Sequence, residues 1–135
     1  MKKIPACALL LVFIGLFAGC ASYPPNAERG PQGTITYYVQ IESSDPGVRI
    51  EANNDVIGTA PCKLKIFGDL DGTFHNFGSY EYIIRAFPLN TNESIQTKVF
   101  RTGGWFSQED KIPTHIYFDM NEKTSGFSVE LPPRY

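Results

Sequence analysis

The chain has 135 residues, with 12 Lys and Arg against 14 Asp and Glu and a formal net charge of -2, so it lacks the basic field that holds a polyphosphate backbone, and no nucleic-acid partner is expected. Hydrophobic residues make up 42% of it, which suits one globular domain. Ten prolines and 12 glycines exceed the usual share without reaching that of a wholly disordered chain, so a tether or many turns are expected.

Residues 1–20 read MKKIPACALLLVFIGLFAGC. Two lysines precede an uncharged apolar run over residues 6–18, and small Ala18 and Gly19 stand before Cys20. A charged start, a short apolar stretch and a small-residue exit form the layout of a secretory signal over residues 1–19. The run is too short for a transmembrane helix, which needs about 20 apolar residues, and no Lys/Arg cluster follows to stop transfer. An ordinary thiol beside a simple signal-peptide cut is the plainer alternative for Cys20.

Phe17-Ala18-Gly19-Cys20 resembles the lipobox of bacterial lipoproteins, although that family prefers Leu, Val or Ile where this chain has Phe17. The resemblance implies cleavage before Cys20, a diacylglycerol on its thiol and a further acyl chain on its new amino group. One acyl chain binds a bilayer reversibly, at roughly 0.8 kcal/mol per buried CH2, whereas three would hold the protein there essentially permanently. Ala21, in place of Asp, implies the outer membrane in a host with two. The expected location is therefore the bacterial cell envelope, with the covalent lipid on Cys20 as the only attached group and no cofactor.

Removing residues 1–19 would leave 116 of the 135 residues and 10 basic side chains against 14 acidic ones. Cys62 would then be the one free thiol, so the fold must rest on its core and not on disulfides. Residues 20–33 comprise the lipidated Cys and ASYPPNAERGPQG, a Pro/Gly-rich stretch with too little apolar surface to offset the entropy of ordering. It is expected to be a flexible tether whose 13 residues after Cys20 could reach at most about 45 Å.

From Thr34 to the C-terminus the expectation is one all-β domain, residues 34–135. Ile35, Tyr37, Val39 and Ile41 alternate with Thr36, Tyr38, Gln40 and Glu42, the period-two pattern of a half-buried strand. Turn formers at 43–47 lead into Val48-Arg49-Ile50-Glu51-Ala52, and Asn53-Asn54-Asp55 closes a hairpin into Val56-Ile57-Gly58. Cys62, Leu64 and Ile66 face inward on the next strand, with Lys63 and Lys65 outward and Cys62 acting as a small buried hydrophobe. Further strands are expected at 80–87, 94–101, 114–119 and 127–131. Seven or eight short strands with no sustained helical period predict a single small antiparallel β-sandwich.

The stretch VQIESSDPGVRIEANNDVIGTAPCKLKI is similar to the PEGA domain, a β module of bacterial envelope and surface proteins. The matching residues are Ser44, Asp45, Pro46 and Gly47 in the first turn, Ile50 and Ala52 in the second strand, Gly58, Thr59 and Pro61 in the following step, and Leu64 beyond it. The Pro-Glu-Gly-Ala string that names the family is absent. The resemblance implies a binding or structural module and no catalytic group.

Residues 68–80, GDLDGTFHNFGSY, depart from that module as an insertion. Asp69, Asp71 and His75 raise the question of a metal. Counting from Asp69, Gly72 falls fourth and Thr73 fifth, which does not meet the calcium-loop spacing, so a solvated loop is expected. A zinc site would need Cys62, His75, His115 and a carboxylate to converge. No metal and no enzyme activity are expected: there is no G-x-S-x-G elbow, and Ser79 and Ser107 stand in ordinary loops.

The candidate binding residues are aromatic. Phe74, Phe77 and Tyr80 lie in one loop, and Trp105 and Phe106 follow Gly103-Gly104 in another. They are read first as a lid folded over the open end of the core, and second as an exposed platform that stacks on sugar rings or docks a protein. The sequence thus describes a lipid-anchored, non-enzymatic envelope module, with cell-wall or surface glycan binding and membership of an envelope protein assembly as the alternatives.

Overall fold

The computed structural model describes residues 22–123. The signal segment, Cys20 and Ala21 lie outside these residues, as do the strand expected at 127–131 and the terminal prolines. Among the described residues run seven strands: β1 (Ile35–Ser43), β2 (Arg49–Ala52), β3 (Asp55–Thr59), β4 (Cys62–Gly68), β5 (Glu81–Phe87), β6 (Gln96–Arg101) and β7 (His115–Phe118). They form two sheets of order β4-β1-β7 and β3-β2-β5-β6, and the protein is an all-β sandwich.

The period-two alternation sets which side of each strand is covered. Val39 and Ile41 of β1, Leu64 and Ile66 of β4, and Ile116 and Phe118 of β7 face Ile50 and Ala52 of β2 and Ile84 and Ala86 of β5, all of them buried. Each fully buried Ile, Leu, Val or Phe contributes about 1.5–3 kcal/mol. Cys62 is only partly buried and packs at the margin of this core, so it is less enclosed than the alternation suggests.

Asn53 (φ 48) and Asn54 (φ 71) form the two-residue β2–β3 turn between paired Ala52 and Asp55. Asn tolerates this left-handed backbone better than most residues. Beyond it the register shifts so that Ile50 opposes Gly58 while Glu51 opposes Val56, a bulge in the edge strand. The step at 59–61 then carries the chain to the other sheet, with Ala60 bonded through its N–H to Val48 and through its carbonyl to Gly47 (both 2.8 Å).

One pairing departs from the antiparallel expectation. β7 runs parallel to β1, Gln40 opposite His115 and Ser43 opposite Phe118. The loop at 102–114 approaches from the end of the sheet where β1 begins, with the Ile112 N–H donating to the Gly72 carbonyl (2.8 Å) and the Gln40 N–H to the Thr114 carbonyl (3.0 Å). A strand entering there can only run the way β1 runs.

Within the stretch expected as a tether, residues 28–33 are bonded to the domain. The Thr36 N–H donates to the Glu28 carbonyl (2.9 Å) and the Gly30 N–H to the Thr34 carbonyl (2.8 Å), across a single turn of 3-10 helix at Pro31–Gly33. Lys65 Nζ pairs with Glu28 at 2.5 Å. These backbone bonds hold residues 28–33 against the edge of the domain despite their proline and glycine content.

Candidate functional site

The end of the sandwich beyond Gly68 is built by two loops and the returning N-terminal segment. After β4 the chain turns on itself: the Asp69 N–H donates to the Thr73 carbonyl (2.9 Å), and the Gly72 N–H to the Asp69 carbonyl (3.0 Å). The Asp71 carboxylate accepts from the Thr73 hydroxyl (2.7 Å) and N–H (3.1 Å). Those two bonds, the hydroxyl foremost, hold its pKa below the usual carboxylate value.

A bridge between Gly68 and Phe74 then aims Phe74 into the interior. Its ring is 1% exposed, stacked 5.0 Å from Phe100 and 5.2 Å from Tyr82. Phe74 is therefore a plug in the core and no part of a contact surface. Of the five aromatic candidates it alone takes the lid role; Phe77, Tyr80, Trp105 and Phe106 are 48%, 67%, 94% and 99% exposed.

The second loop is closed at its neck by Arg101 and Asp110. The guanidinium lies 2.7 Å from Asp110 Oδ1, Asp110 Oδ2 accepts from the Arg101 N–H (2.7 Å), and the Asp110 N–H donates to the Arg101 carbonyl (2.9 Å). The side-chain bond to Arg101 lowers the Asp110 pKa. Gly103 has φ +90, which favours glycine, whereas a Cβ there would meet only the exposed Glu109 side chain, which can move aside. Gly104 and Ser107 exchange backbone hydrogen bonds (3.1 and 3.4 Å), which puts Trp105 and Phe106 at the apex of a tight turn, their rings edge-on at 6.5 Å.

The two loops meet. Asn76 Nδ2 donates to the Gly103 carbonyl (2.9 Å), the Thr102 hydroxyl donates to the Ser79 carbonyl, and the Tyr80 ring lies 3.1 Å from where a Cβ of Gly104 would stand. His75 joins them to the N-terminal segment: Nδ1 is 2.7 Å from Asp69 Oδ1, Nε2 is 3.0 Å from Gln32 Oε1, and the Phe77 ring stands edge-on at 4.5 Å. The Gln32 contact was missed in the sequence, where Gln32 reads as spacer; the Pro-Gln-Gly turn was the available signal.

A cleft of about 240 Å³ opens beside these residues, lined by Lys65, His75, Phe77, Ser79, Glu81 and Tyr82 among others. Burial, and secondarily the charge of Asp55, pushes the Tyr82 hydroxyl up to about 12. The Ser79 hydroxyl donates to the Glu81 carbonyl (2.8 Å). His115 pairs with Glu42 at 2.8 Å on the β1–β7 pair, apart from the Asp69–His75 pair. Among the described residues no three His, Cys, Asp or Glu side chains converge on a point that could hold a metal. Apolar rings on a stapled turn thus stand at the same end of the fold as a small, mixed cleft.

No protein-family model matches this chain, and no curated protein or solved structure is significantly similar to it.

Proposed function

We propose that this chain is a lipid-anchored protein of the bacterial envelope, in which Cys20 carries the lipid and the β-sandwich serves as a non-enzymatic binding or structural module. The MKK start, the apolar run and Phe17-Ala18-Gly19-Cys20 support the anchor. The observation that carries the binding role is the pair of fully exposed rings, Trp105 and Phe106, held on a turn fixed at its neck and at both flanks. Large apolar side chains kept out of a core and presented on a rigid turn are placed for contact with something else. The strand, turn, hairpin and step of β1 to β4 support kinship with the PEGA module, whose roles are of this kind.

The test is the mass of the mature protein together with a Cys20→Ser variant. The expected product begins at Cys20 and carries acyl chains, and the variant accumulates with its signal segment uncleaved. A variant that is trimmed normally, alongside a native protein that is freely soluble outside the cell, overturns the reading.

A further inference from the structure

We propose that the aromatic end of the sandwich is a membrane-contact face, in which Trp105 and Phe106 enter the interfacial zone of the bilayer that holds the N-terminus. The inference rests on the acylation of Cys20 proposed above and goes further by naming what the exposed rings touch.

The path of the chain carries the argument. Among the described residues Tyr23 is the first held to the segment that leads into β1: its hydroxyl is 3.5 Å from the Gly33 carbonyl, and the Arg29 guanidinium lies over its ring at 4.4 Å. Gln32, next to Gly33, reaches His75; His75 stands against Phe77; and Asn76 is bonded to Gly103 at the base of the tip. The point where the N-terminal segment leaves and the point where the rings protrude therefore belong to the same end of the fold. Only Ala21 and Ser22 separate Tyr23 from Cys20, a reach of about 10 Å when fully extended. The polar zone of one leaflet is itself roughly 5–8 Å deep. While Tyr23 keeps its contacts with Gly33 and Arg29, an acylated Cys20 would hold the bilayer close to this end of the domain.

The surface suits that neighbour. Trp105 and Phe106 form the apex, with Tyr80, Phe77 and Leu70 partly exposed on the same two loops. Trp and Tyr favour the headgroup level of a bilayer, where an apolar ring and a polar edge are both accommodated. The charges nearest the tip do not suit electrostatic capture of anionic lipid. Arg101 is committed to Asp110, and Glu109 lies against Gly103. Contact is thus driven by apolar burial and is insensitive to salt.

Trp105 is the chain's only tryptophan, so its fluorescence reports the tip alone. The full protein, matured in cells, is reconstituted into phosphatidylethanolamine–phosphatidylglycerol vesicles with and without brominated acyl chains. The expected result is a blue-shifted Trp105 emission, a loss of intensity with the brominated lipid that persists in high salt, and protection from aqueous iodide. Phe106→Ser, which removes an exposed ring and leaves the core intact, should weaken the bromine quenching while the urea midpoint stays unchanged. The inference is overturned if the anchored protein keeps a water-like emission open to iodide, or if that emission shifts only when peptidoglycan is added, which would assign the tip to glycan. Should mass measurement find no acyl chain, the anchoring reading fails by itself. Vesicles added to that unacylated protein then decide the tip, with quenching upholding membrane contact and its absence overturning it.

Discussion

Phe74 and Phe106 are the same residue type on neighbouring loops, one 1% and the other 99% exposed, and their environments give them opposite energetic roles. Phe74 fills the gap between the sheets against Phe100 and Tyr82. Phe74→Ala would leave a cavity there and should cost about 3–5 kcal/mol in a urea denaturation series, whereas Phe106→Ser should stay within about 0.5 kcal/mol. Nothing local in the sequence separates these two rings. The loop that carries Phe74 has no period from which facing could be inferred, and the Gly68–Phe74 bridge that turns it inward depends on backbone geometry across the loop. The buried positions of β1, β2 and β4 were readable because a strand forces alternate side chains to opposite faces; an irregular loop imposes no such rule.

Among the elements, the β2–β3 hairpin shows how two adjacent residues of one kind divide the work. Asn53 contributes backbone shape and a bond: its side-chain oxygen accepts from the Ile83 N–H at 2.9 Å, while its own N–H donates to the Ile83 carbonyl (2.8 Å). Asn54 contributes shape and an exposed bond from Arg85 (2.8 Å). Asn53→Ala should therefore cost about 1–2 kcal/mol, from the lost acceptor and the strained φ together. Asn54→Gly should be tolerated within about 0.5 kcal/mol, and the same urea series distinguishes the two. This hairpin was legible because Asn-Asn before an apolar stretch is turn chemistry of the most local kind. The direction of β7 was not, since it is set by a loop that reaches across the end of the other strands. The attachment of residues 28–33 was not legible, because composition weighs proline, glycine and apolar content and carries no sign of the backbone bonds to Thr34 and Thr36.

Across the whole molecule, the acid branch of stability follows from Arg101 and Asp110. A carboxylate whose folded pKa is depressed adds stability above the ordinary carboxylate value of about 3.9 and loses it as pH falls through the lower folded value. Asp110 and Asp71 both shift this way, so urea midpoints should drop as pH falls below about 4. Asp110→Asn should be less stable than the parent at neutral pH, and the gap between them should close in acid. Equal pH profiles for the two proteins would show that the pair is not what holds the loop neck. The parallel seat of β7 beside β1 carries a different implication, one of timing. β1 is the central strand of its sheet, yet its partner on one side is made of residues 115–118, far along the chain from it. A nascent chain has β1 in hand long before the residues that complete that sheet. Slow, late closure is the kinetic mark of contacts so distant along the chain.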